Sequence, residues 1–461
     1  MISSAHLREL ESIVGRENVL STPEDLVCYG YDATHCEGEP SLVVRPGSAG
    51  EVAEIVRLAN RARLPLVPRG SGTNLSGGTI PVPGSVVVQM GRLNRILEID
   101  EGNLTATVQP GVLLGDFNRE VESRGLFYPP DPSSQSISSL GGNVGEGAGG
   151  PRGVKYGTTR NYVIGLEVVT PTGEVLRLGG KAAKRGADAS LLHLMIGSEG
   201  TLGIITEITV RLVPKPAAKQ TFLAAFDRLE DAARTVSALI ASRIVPTTIE
   251  LMDQVGMIEV EKFKHVGLPI EAEAVLLIEV DGSEAEVAYQ SERVERKVRE
   301  GGARDVQVAR TQQEMDLLWL ARRSFGAAIA RSTPTQVTED ATVPRAKVPE
   351  MVRAIFSLRQ KYRLRVAILA HAGDGNMHPA IMIDPRDSDE MRRVEQFTAE
   401  LFRTALALGG TLSGEHGMGI LKSPYLEWQF GPEGVAAFRR LKAALDPNNI
   451  LNPGKLLPPS A

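Results

Sequence analysis

The chain has 461 residues and a formal net charge of −5; 42% of the residues are hydrophobic and 23% are charged. This length exceeds what one hydrophobic core supports and predicts two or three globular domains. The acidic balance argues against nucleic acid as the main partner, because phosphate binders carry a basic surplus. The sequence lacks an apolar run of the roughly 18 residues that predict a membrane span. The N-terminus also lacks the basic end and apolar block of a signal peptide, so a cytoplasmic location is expected.

The chain has two cysteines, Cys28 and Cys36. Two thiols are too few for an iron–sulfur cluster, which needs about four ligands, and a disulfide is not expected in the cytoplasm. His35 beside Cys36 is only a weak indication of a metal site. Two unrelated thiols are the preferred interpretation.

The part of the chain before residue 217 alternates between helical and strand patterns. The segment from Met1 to Leu20 has the spacing of an amphipathic helix. There follow, in chain order, a helix over 48–65, a short apolar run over 66–69, strands over 85–90 and 104–110, a helix over 112–125, a hairpin over 162–178, and enough β-branched residues for a pair of strands over 202–216. Pro214 and Pro216 then mark a domain boundary.

After residue 217 a strand–helix–strand rhythm occurs twice and predicts an α+β domain whose sheet is covered on one face. The predicted elements are strands over 221–226, 246–252, 274–280, 306–309 and 365–371 and helices over 228–243, 284–301, 317–328 and 349–364. The tail from residue 411 is rich in glycine, proline and asparagine.

The first glycine block is "PRGSGTNLSGG", residues 68–78. Gly70 and Gly72 permit positive φ, so successive N–H groups can point into one concavity and bind phosphate. Ser71, Thr73 and Ser76 add hydroxyl donors. The block matches neither the Walker loop nor the G-x-G-x-x-G fingerprint of dinucleotide-binding domains, and a tight surface turn is the alternative.

The second block, residues 138–163, has eight glycines within seventeen residues. A regular element does not tolerate that density, because each glycine costs conformational entropy. A disordered linker is the alternative, but Val144, Val154, Tyr156 and Tyr162 interrupt the block as anchors would. A large flat ligand against bare backbone explains it better. The third block is "GSEGTLGIIT", residues 197–206, which leads into a strand.

In order and spacing these blocks resemble the FAD-binding half of the vanillyl-alcohol-oxidase/p-cresol-methylhydroxylase superfamily. Within it, residues 20–456 resemble the glycolate oxidase flavin subunit and the FAD-linked D-lactate dehydrogenases. The resemblance implies an α+β fold in three parts. A two-subdomain FAD-binding domain over residues 1–216 would be followed by an α+β substrate cap domain with a ferredoxin-like sheet over 217–410. A C-terminal segment over 411–461 would return to the flavin site.

Some superfamily members attach FAD covalently through a histidine. The first two blocks contain none, so non-covalent FAD is expected, and Gly147 stands where many relatives have asparagine. The resemblance implies that FAD contacts the three blocks and the tail. The implied contact residues are Pro68, Arg69, Gly70, Ser71, Gly72, Thr73, Asn74, Gly77, Gly78, Pro132, Gly141, Gly142, Asn143, Gly145, Gly149, Gly153, Tyr156, Glu199, Gly200, Gly203, Ile204, Ile205 and Asn452.

Two of the seven histidines occur in "HAGDGNMHP", residues 371–379. Asp374-Gly375 is a natural turn tip, so the pattern predicts a strand ending at His371, a turn over 372–377 and a returning strand from His378. Pro379 suits an edge strand. In this hairpin His371 and His378 would lie opposite one another as half of a metal site. A pair of polar loop histidines is the alternative.

Glu415 and His416 lie between glycines in the tail, in "SGEHGMG". A carboxylate with two imidazoles makes a metal site with open positions, but the residues alone do not place Glu415 beside His371. The resemblance implies that His371, His378 and Glu415 bind a divalent metal (zinc, manganese or iron) and that His416 acts as base. The HExxH motif of zinc proteases is absent.

The resemblance also places a substrate-binding arginine three residues after a tryptophan, which is Arg322 after Trp319. Adjacent helical residues point about 100° apart, so Arg323 is expected in solvent. D-2-hydroxyglutarate dehydrogenases hold a second carboxylate with a lysine, where this chain has Thr338. Their asparagine two residues beyond the second histidine is Ala380 here. Both departures favour a small monocarboxylate.

These features predict an FAD-dependent dehydrogenase of glycolate or D-lactate that transfers hydride to flavin N5. The chain lacks a nicotinamide fingerprint, so electrons are expected to leave through an iron–sulfur subunit, a flavoprotein, a quinone or a cytochrome. A homodimer or hetero-oligomer is expected. Any peripheral association with a membrane would be made through a partner. The alternatives are a D-2-hydroxyglutarate-type dehydrogenase, a flavin-bearing non-catalytic subunit, and an aldonolactone or alcohol oxidase without a metal triad.

Overall fold

The computed structural model describes residues 2–184 and 189–458, which form two compact units. The first unit comprises Met1–Ala148, Thr158–Lys215 and Glu415–Ala461, and the second comprises Gly149–Gly157 and Pro216–Gly414. The main division therefore lies beside the boundary predicted at residue 216. Two details differ from the predicted domains. Residues 149–157 group with the second unit, and the tail rejoins the first unit at Glu415 rather than at residue 411.

Short elements dominate the chain as far as Lys215. In chain order they are α1 (Ser4–Val14), β1 (Val19–Leu20), α2 (Pro23–Val27), β2 (Leu42–Val44), α3 (Ala49–Ala62), β3 (Leu66–Arg69), β4 (Val86–Gln89), β5 (Ile96–Asp100), β6 (Thr105–Val108), α4 (Leu114–Ser123), β7 (Leu126–Phe127), α5 (Leu140–Glu146), α6 (Gly153–Tyr156), α7 (Thr159–Tyr162), β8 (Val163–Val169), β9 (Val175–Gly179), α8 (Ala189–Met195), β10 (Ile204–Arg211) and β11 (Val213–Pro214).

The rest of the chain has longer elements. They are β12 (Ala218–Phe226), α9 (Leu229–Ala241), β13 (Thr248–Asp253), α10 (Gln254–Lys264), β14 (Ala274–Gly282), α11 (Glu284–Glu300), β15 (Asp305–Val308), α12 (Gln312–Arg323), α13 (Phe325–Ser332), β16 (Thr335–Thr338), β17 (Ala341–Thr342), α14 (Val348–Lys361), β18 (Arg365–His371), β19 (Asn376–Ile383), α15 (Ser388–Ala407) and α16 (Leu426–Leu445). Among the helices that the structure describes, none combines the length and apolar character needed to cross a bilayer.

The first unit begins with a sheet in the order β1-β2-β4-β3, in which β2 and β3 are each parallel to β4. Helix α3 starts at an N-cap, because the Ser48 side chain accepts from the Glu51 N–H. It buries Val52, Ile55 and Val56 against this sheet, as their helical spacing predicts. Strand β3 ends at Arg69, so the sheet delivers the first glycine block at the end of a buried strand.

The second sheet of the first unit is antiparallel, in the order β5-β6-β10-β8-β9. The hairpin predicted over 162–178 is formed by β8 and β9. The two strands predicted over 202–216 are instead one long strand, β10, and the two-residue strand β11, which pairs with β7. Alternate residues of β10 are buried, so its β-branched residues belong to one half-buried strand.

The second unit contains a larger sheet in the order β15-β12-β14-β13-β18-β19-β16, with β17 also paired to β19. Its first four strands are antiparallel and, with α9 and α11, follow the ferredoxin-like arrangement that was predicted. The prediction that one face of this sheet is covered is wrong. Helices α9, α11, α14 and α15 cover one face, and α10, α12 and α13 cover the other.

The single helix predicted over 317–328 is also wrong, since α12 ends and α13 begins around Ser324. Helix α13 packs on α10, a helix that was not predicted from the sequence. There the Phe325 ring fills the space beside Gly256, where an added Cβ would lie 2.6 Å from a ring carbon. Phe325 is buried in this contact.

Candidate functional site

The first unit contains a cleft formed by all three glycine blocks. Strand β3 and the loop after it contribute residues 68–70 and 78–79, α5 contributes 141–142 and 145–146, and the third block contributes 199–200 and 203–205. Met90 and Pro110 complete the lining. The structure thus brings together residues that lie far apart in the sequence.

Bare backbone forms much of this cleft. A Cβ on Gly141 would lie 2.5 Å from the Pro110 Cβ and 2.9 Å from its carbonyl oxygen, so this glycine is required for close packing of the wall. Gly145 differs, because an added Cβ there would meet nothing within 4 Å. Its missing side chain leaves space in the cleft itself, as expected where a ligand lies against the backbone.

Some predicted contact residues hold the walls together. The Asn452 Nδ2 donates to the carbonyl oxygens of Gly78 and Glu199, at 2.8 and 2.7 Å, and so ties the first block to the third. The Arg69 guanidinium donates to the Tyr31 carbonyl at 2.7 Å and to Thr79 Oγ1 at 3.2 Å. These two hydrogen bonds of the guanidinium group help to fix the loop that follows β3.

Two carboxyl groups in the cleft are buried. Glu199 accepts from the N–H groups of Met418 and Gly419 at 2.6 and 2.8 Å, and burial raises its pKa. Burial and then the charge of Glu199 raise the pKa of Glu146 well above its usual range. Glu146 was not predicted. A charged residue within a glycine block is the signal that could have found it, because such a group is costly to bury.

Several other predicted FAD contacts do not line this cleft. They are Ser71, Gly72, Thr73, Asn74, Gly77, Pro132, Asn143, Gly149, Gly153, Tyr156 and Asn452. Gly149, Gly153 and Tyr156 belong to the second unit. There the Tyr156 hydroxyl donates to Asp281 at 2.9 Å, and Lys155 makes an ion pair with the same carboxylate at 2.5 Å.

The second unit contains the predicted histidine hairpin, with a different register. The turn has four residues, 372–375, and β19 begins at Asn376. His371 therefore pairs with Asn376, and His378 pairs with Leu369, so the prediction that the two histidines lie opposite one another is wrong. They still share a face of the sheet, because side chains two positions apart in a strand point the same way. Their ring centroids are 5.0 Å apart.

The prediction of an edge position for Pro379 is also wrong, since β19 lies between β18 and the strands β16 and β17. The proline is accommodated because the neighbouring strand is interrupted between Thr338 and Ala341. In that gap the Glu339 N–H donates to the Pro379 carbonyl at 3.1 Å.

Both imidazoles are buried and oriented through Nδ1. The Nδ1 of His371 donates to Glu250 Oε1 at 2.7 Å, and that of His378 lies 3.4 Å from the Glu339 carbonyl oxygen. A carboxylate or carbonyl oxygen only accepts, so each bond places the proton on Nδ1 and the lone pair on Nε2. This is the tautomer that binds a metal through Nε2.

Glu415 follows directly on a segment anchored beside the hairpin. The Asp340 carboxylate accepts from the Gly414 N–H at 2.9 Å and from Ser413 Oγ at 2.5 Å. Of the described residues, His371, His378 and Glu415 are the set whose potential ligand atoms all lie within 4.8 Å of one another. Two imidazoles and a carboxylate suit zinc, manganese or iron.

The two arginines at the end of α12 differ in burial, as the helix geometry predicted. Arg322 is 4% exposed and its Nε donates to Glu250 Oε2, whereas Arg323 is exposed and lies over the Trp319 ring. Burial alone would raise the pKa of Glu250, but the charge of Arg322 and the hydrogen bonds from His371 and Arg322 outweigh burial and lower it. Glu250 was not predicted as a site residue, although an acid in the apolar strand "TIELM" is a signal for one.

Thr338 and Ala380 are register partners beside the hairpin. Val337 and Ile381 belong to the core on one face of the sheet, and Ala380 belongs to the core on the other. By strand alternation, Thr338 and Ala380 therefore share the face of His378. Neither offers a charge.

Comparisons with known proteins agree with this architecture. A family model described as "FAD linked oxidases, C-terminal domain" matches residues 215–456, and one described as "FAD binding domain" matches residues 40–179. The "Glycolate oxidase subunit GlcD" of Bacillus subtilis (strain 168) is 50% identical over 457 residues, which cover 99% of this chain and 97% of that protein. The "D-lactate dehydrogenase" of Anaerostipes hadrus is 37% identical over 96% of this chain and 94% of that protein.

A solved structure of p-cresol methylhydroxylase with substrate bound has the same fold, with a TM-score of 0.79 over 98% of this chain and 96% of that one, at 19% identity. The fold, the glycine-lined cleft and the matches over nearly the whole chain lead to one assignment. The chain belongs to the family of FAD-linked oxidases that includes the glycolate oxidase subunit GlcD and D-lactate dehydrogenase, and it is an FAD-dependent oxidoreductase.

Proposed function

We propose that the protein oxidises a small 2-hydroxy monocarboxylic acid, glycolate or D-lactate, to the 2-keto acid. The observation that carries the proposal is the grouping of His371, His378 and Glu415 in an FAD-linked oxidase. The names of two relatives, a glycolate oxidase subunit and a D-lactate dehydrogenase, support the substrate class. A subunit without catalysis would have no need for this group, nor would an alcohol oxidase.

FAD fits the cleft of the first unit, where bare backbone and the open space beside Gly145 leave room for a large flat ligand. The FAD would be non-covalent, because the cleft lining includes no histidine within the described residues. When bound, FAD supplies the hydride acceptor at N5. The remaining predicted residues, including Ser71, Thr73 and Asn74 in the first block, would also contact FAD.

A divalent metal fits His371, His378 and Glu415, because both imidazoles present Nε2 and the carboxylate completes the ligand set. When bound, the ion would lower the pKa of the substrate 2-hydroxyl group. Arg322 would pair with the substrate carboxylate through its planar guanidinium. His416, next to a ligand in sequence, would take the proton of the hydroxyl group.

The sheet face beside His378 favours a substrate with one carboxylate. A second carboxylate would need a cation, and Thr338 and Ala380 occupy the positions where the resemblance to D-2-hydroxyglutarate dehydrogenases requires a lysine and an asparagine. The short neutral side chain of Ala380 is fully buried. Because this side chain is a methyl group, it adds no charge or hydrogen-bonding group to the site.

Electrons would leave the flavin through a protein or quinone acceptor. The word "subunit" in the relative's name supports an assembly with other chains. An iron–sulfur subunit, a flavoprotein, a quinone and a cytochrome are the candidates. The homodimer or hetero-oligomer and the cytoplasmic location remain predictions from the sequence.

A substrate panel tests the proposal. Glycolate, D-lactate, L-lactate and D-2-hydroxyglutarate are each offered to the purified protein with an artificial dye acceptor. Reduction of the dye with glycolate or D-lactate, and not with D-2-hydroxyglutarate, is the expected result. Preference for D-2-hydroxyglutarate would favour the alternative dehydrogenase, and failure with every acid would favour a non-catalytic subunit.

Replacement of Gly145 by leucine is expected to yield a folded protein without flavin. An added Cβ meets nothing within 4 Å in the protein, so the leucine side chain is expected to extend into the cleft where FAD binds. The measurement is the absorbance of flavin released from each purified protein by acid, with the wild type releasing its full content. Gly326→Leu is the matched control, because Gly326 is also helical and meets nothing within 4 Å but is exposed. Flavin at wild-type content in Gly145→Leu would contradict the placement of FAD.

Arg322→Ala is expected to weaken substrate binding by about 2–4 kcal/mol, as for the loss of a buried charged hydrogen-bonding partner. The measurement is KM with the preferred acid, and the control is Arg323→Ala, which removes an exposed guanidinium. Because Arg322→Ala leaves Glu250 buried without its cation, the melting temperature should fall as well. A larger effect in Arg323→Ala would mean that the substrate lies on the other side of α12.

A further inference from the structure

The two carboxylate oxygens of Glu250 are bonded to two different parts of the site. Oε1 accepts from His371 Nδ1 at 2.7 Å, and Oε2 accepts from Arg322 Nε. Glu250 is 2% exposed and lies in β13, whose register sets it directly opposite His371. One buried side chain therefore joins a proposed metal ligand to the proposed substrate-binding arginine.

We infer that Glu250 is a positioning residue that sets the tautomer of His371 and the orientation of Arg322 together. This inference rests on the proposed function. Because the carboxylate only accepts, it holds the His371 proton on Nδ1 and leaves Nε2 with its lone pair. Because a guanidinium is planar, a bond to its Nε edge also fixes the directions of its terminal nitrogens.

Glutamine has the same shape but cannot make both bonds. Its amide has one accepting oxygen and one donating nitrogen. If the oxygen faces His371, the NH₂ group faces the Arg322 N–H and two donors meet. If the amide is turned, the NH₂ group faces His371 and drives its proton to Nε2, where it blocks the metal. Either way one of the two partners loses its orientation.

Glu279 provides a control for the loss of a buried carboxylate charge. It is a buried acid on the neighbouring strand β14, and its Oε2 accepts from both Trp319 Nε1 and Thr221 Oγ1 at 2.8 Å, so the oxygen of a glutamine can keep both bonds. Trp319 lies in α12, as Arg322 does. Glu279 therefore anchors helix α12 to the same sheet. Among the hydrogen bonds of the described residues, none joins the Glu279 side chain to a proposed metal ligand or to Arg322.

The experiment compares the wild type with Glu250→Gln, Glu250→Asp and Glu279→Gln. ¹⁵N-histidine NMR of the metal-free proteins at pH 8 reports the tautomer of His371, whose signal is assigned with His371→Ala. Competition titration measures Zn²⁺ affinity, and steady-state kinetics give KM and kcat separately. Thermal melting shows that each variant is folded.

The wild type is expected to carry the His371 proton on Nδ1. Glu250→Gln should lose about 10–100-fold in Zn²⁺ affinity, as is typical when a second partner of a ligand is removed, and should raise KM. Glu250→Asp keeps the charge and should recover part of both. Glu279→Gln should keep the wild-type tautomer and Zn²⁺ affinity.

A His371 proton on Nε2 in the wild type would overturn the inference. So would equal Zn²⁺ affinity and KM in Glu250→Gln and Glu279→Gln. Failure of the proposed function gives a different pattern, in which the wild type binds no Zn²⁺ through His371. The tautomer measurement needs no metal and still decides the role of Glu250 in that case.

Discussion

Replacement of His416 by alanine is expected to slow flavin reduction by about 10²–10⁴-fold, the usual contribution of a general base. His416 follows the proposed ligand Glu415 and precedes Gly417, which has a φ of +80°. An added Cβ on Gly417 would lie 2.3 Å from Glu146 Oε2 and 3.0 Å from Glu199 Oε1. The chain therefore turns at a fixed point directly after His416, and the ligand and the base occupy neighbouring positions on a constrained loop.

The measurement is single-turnover bleaching of the flavin, with bound FAD and metal quantified on the same sample. Retention of both with slow bleaching supports the role of a base. Glu415→Gln is the companion variant and is expected to lose metal. Loss of metal from His416→Ala, with metal retained in Glu415→Gln, would exchange the two roles. Bleaching of His416→Ala at the wild-type rate would exclude both roles for His416.

Removal of the divalent metal is expected to abolish turnover and leave FAD bound. The same outcome is expected for His371→Ala and His378→Ala. Both histidines belong to the second unit, whereas every residue lining the cleft belongs to the first. The measurements are dye reduction, metal content and flavin absorbance before and after dialysis against a chelator, followed by addition of Zn²⁺ or Mn²⁺.

His265→Asn is the control for the histidine variants, because His265 is an exposed helix C-cap with φ +50° and asparagine tolerates that conformation. It should retain full activity. Full activity in a metal-free preparation of the wild type would refute the metal-dependent function. Loss of flavin together with metal would refute the prediction that FAD binding does not depend on the metal.

Long helices and strands were predictable because their apolar periodicity extends over several turns. Helix α3 and the hairpin of β8 and β9 are examples, and a few residues of error at their ends do not change the elements. The register of the histidine hairpin was not predictable in the same way. It depends on whether the turn has six residues or four, and a shift of this kind changes every pair in a ladder.

The site was predictable where it rests on local motifs. The glycine blocks predicted much of the cleft, because glycine in that density has few other uses. The partners that orient His371 and His378 were not predicted, since Glu250 and Glu339 lie 121 and 39 positions away in the sequence. Helix α10 was also missed. Its start is marked by Asp253, whose side chain accepts from the Gly256 N–H, a local signal that the β-branched residues after it obscured.

The ties made by the C-terminal segment to the first unit have a consequence for biosynthesis. Asn452 fixes Gly78 and Glu199, Leu451 forms a parallel bridge with Leu66, and the Lys455 Nζ donates to the Ile80 carbonyl at 2.8 Å. A ribosome adds about 5–20 residues per second from the N-terminus. The residues that line the cleft, up to Ile205, are therefore synthesised well before the side chains that clamp them. We therefore expect tight FAD binding only after the segment that contains Asn452 and Lys455 has been synthesised.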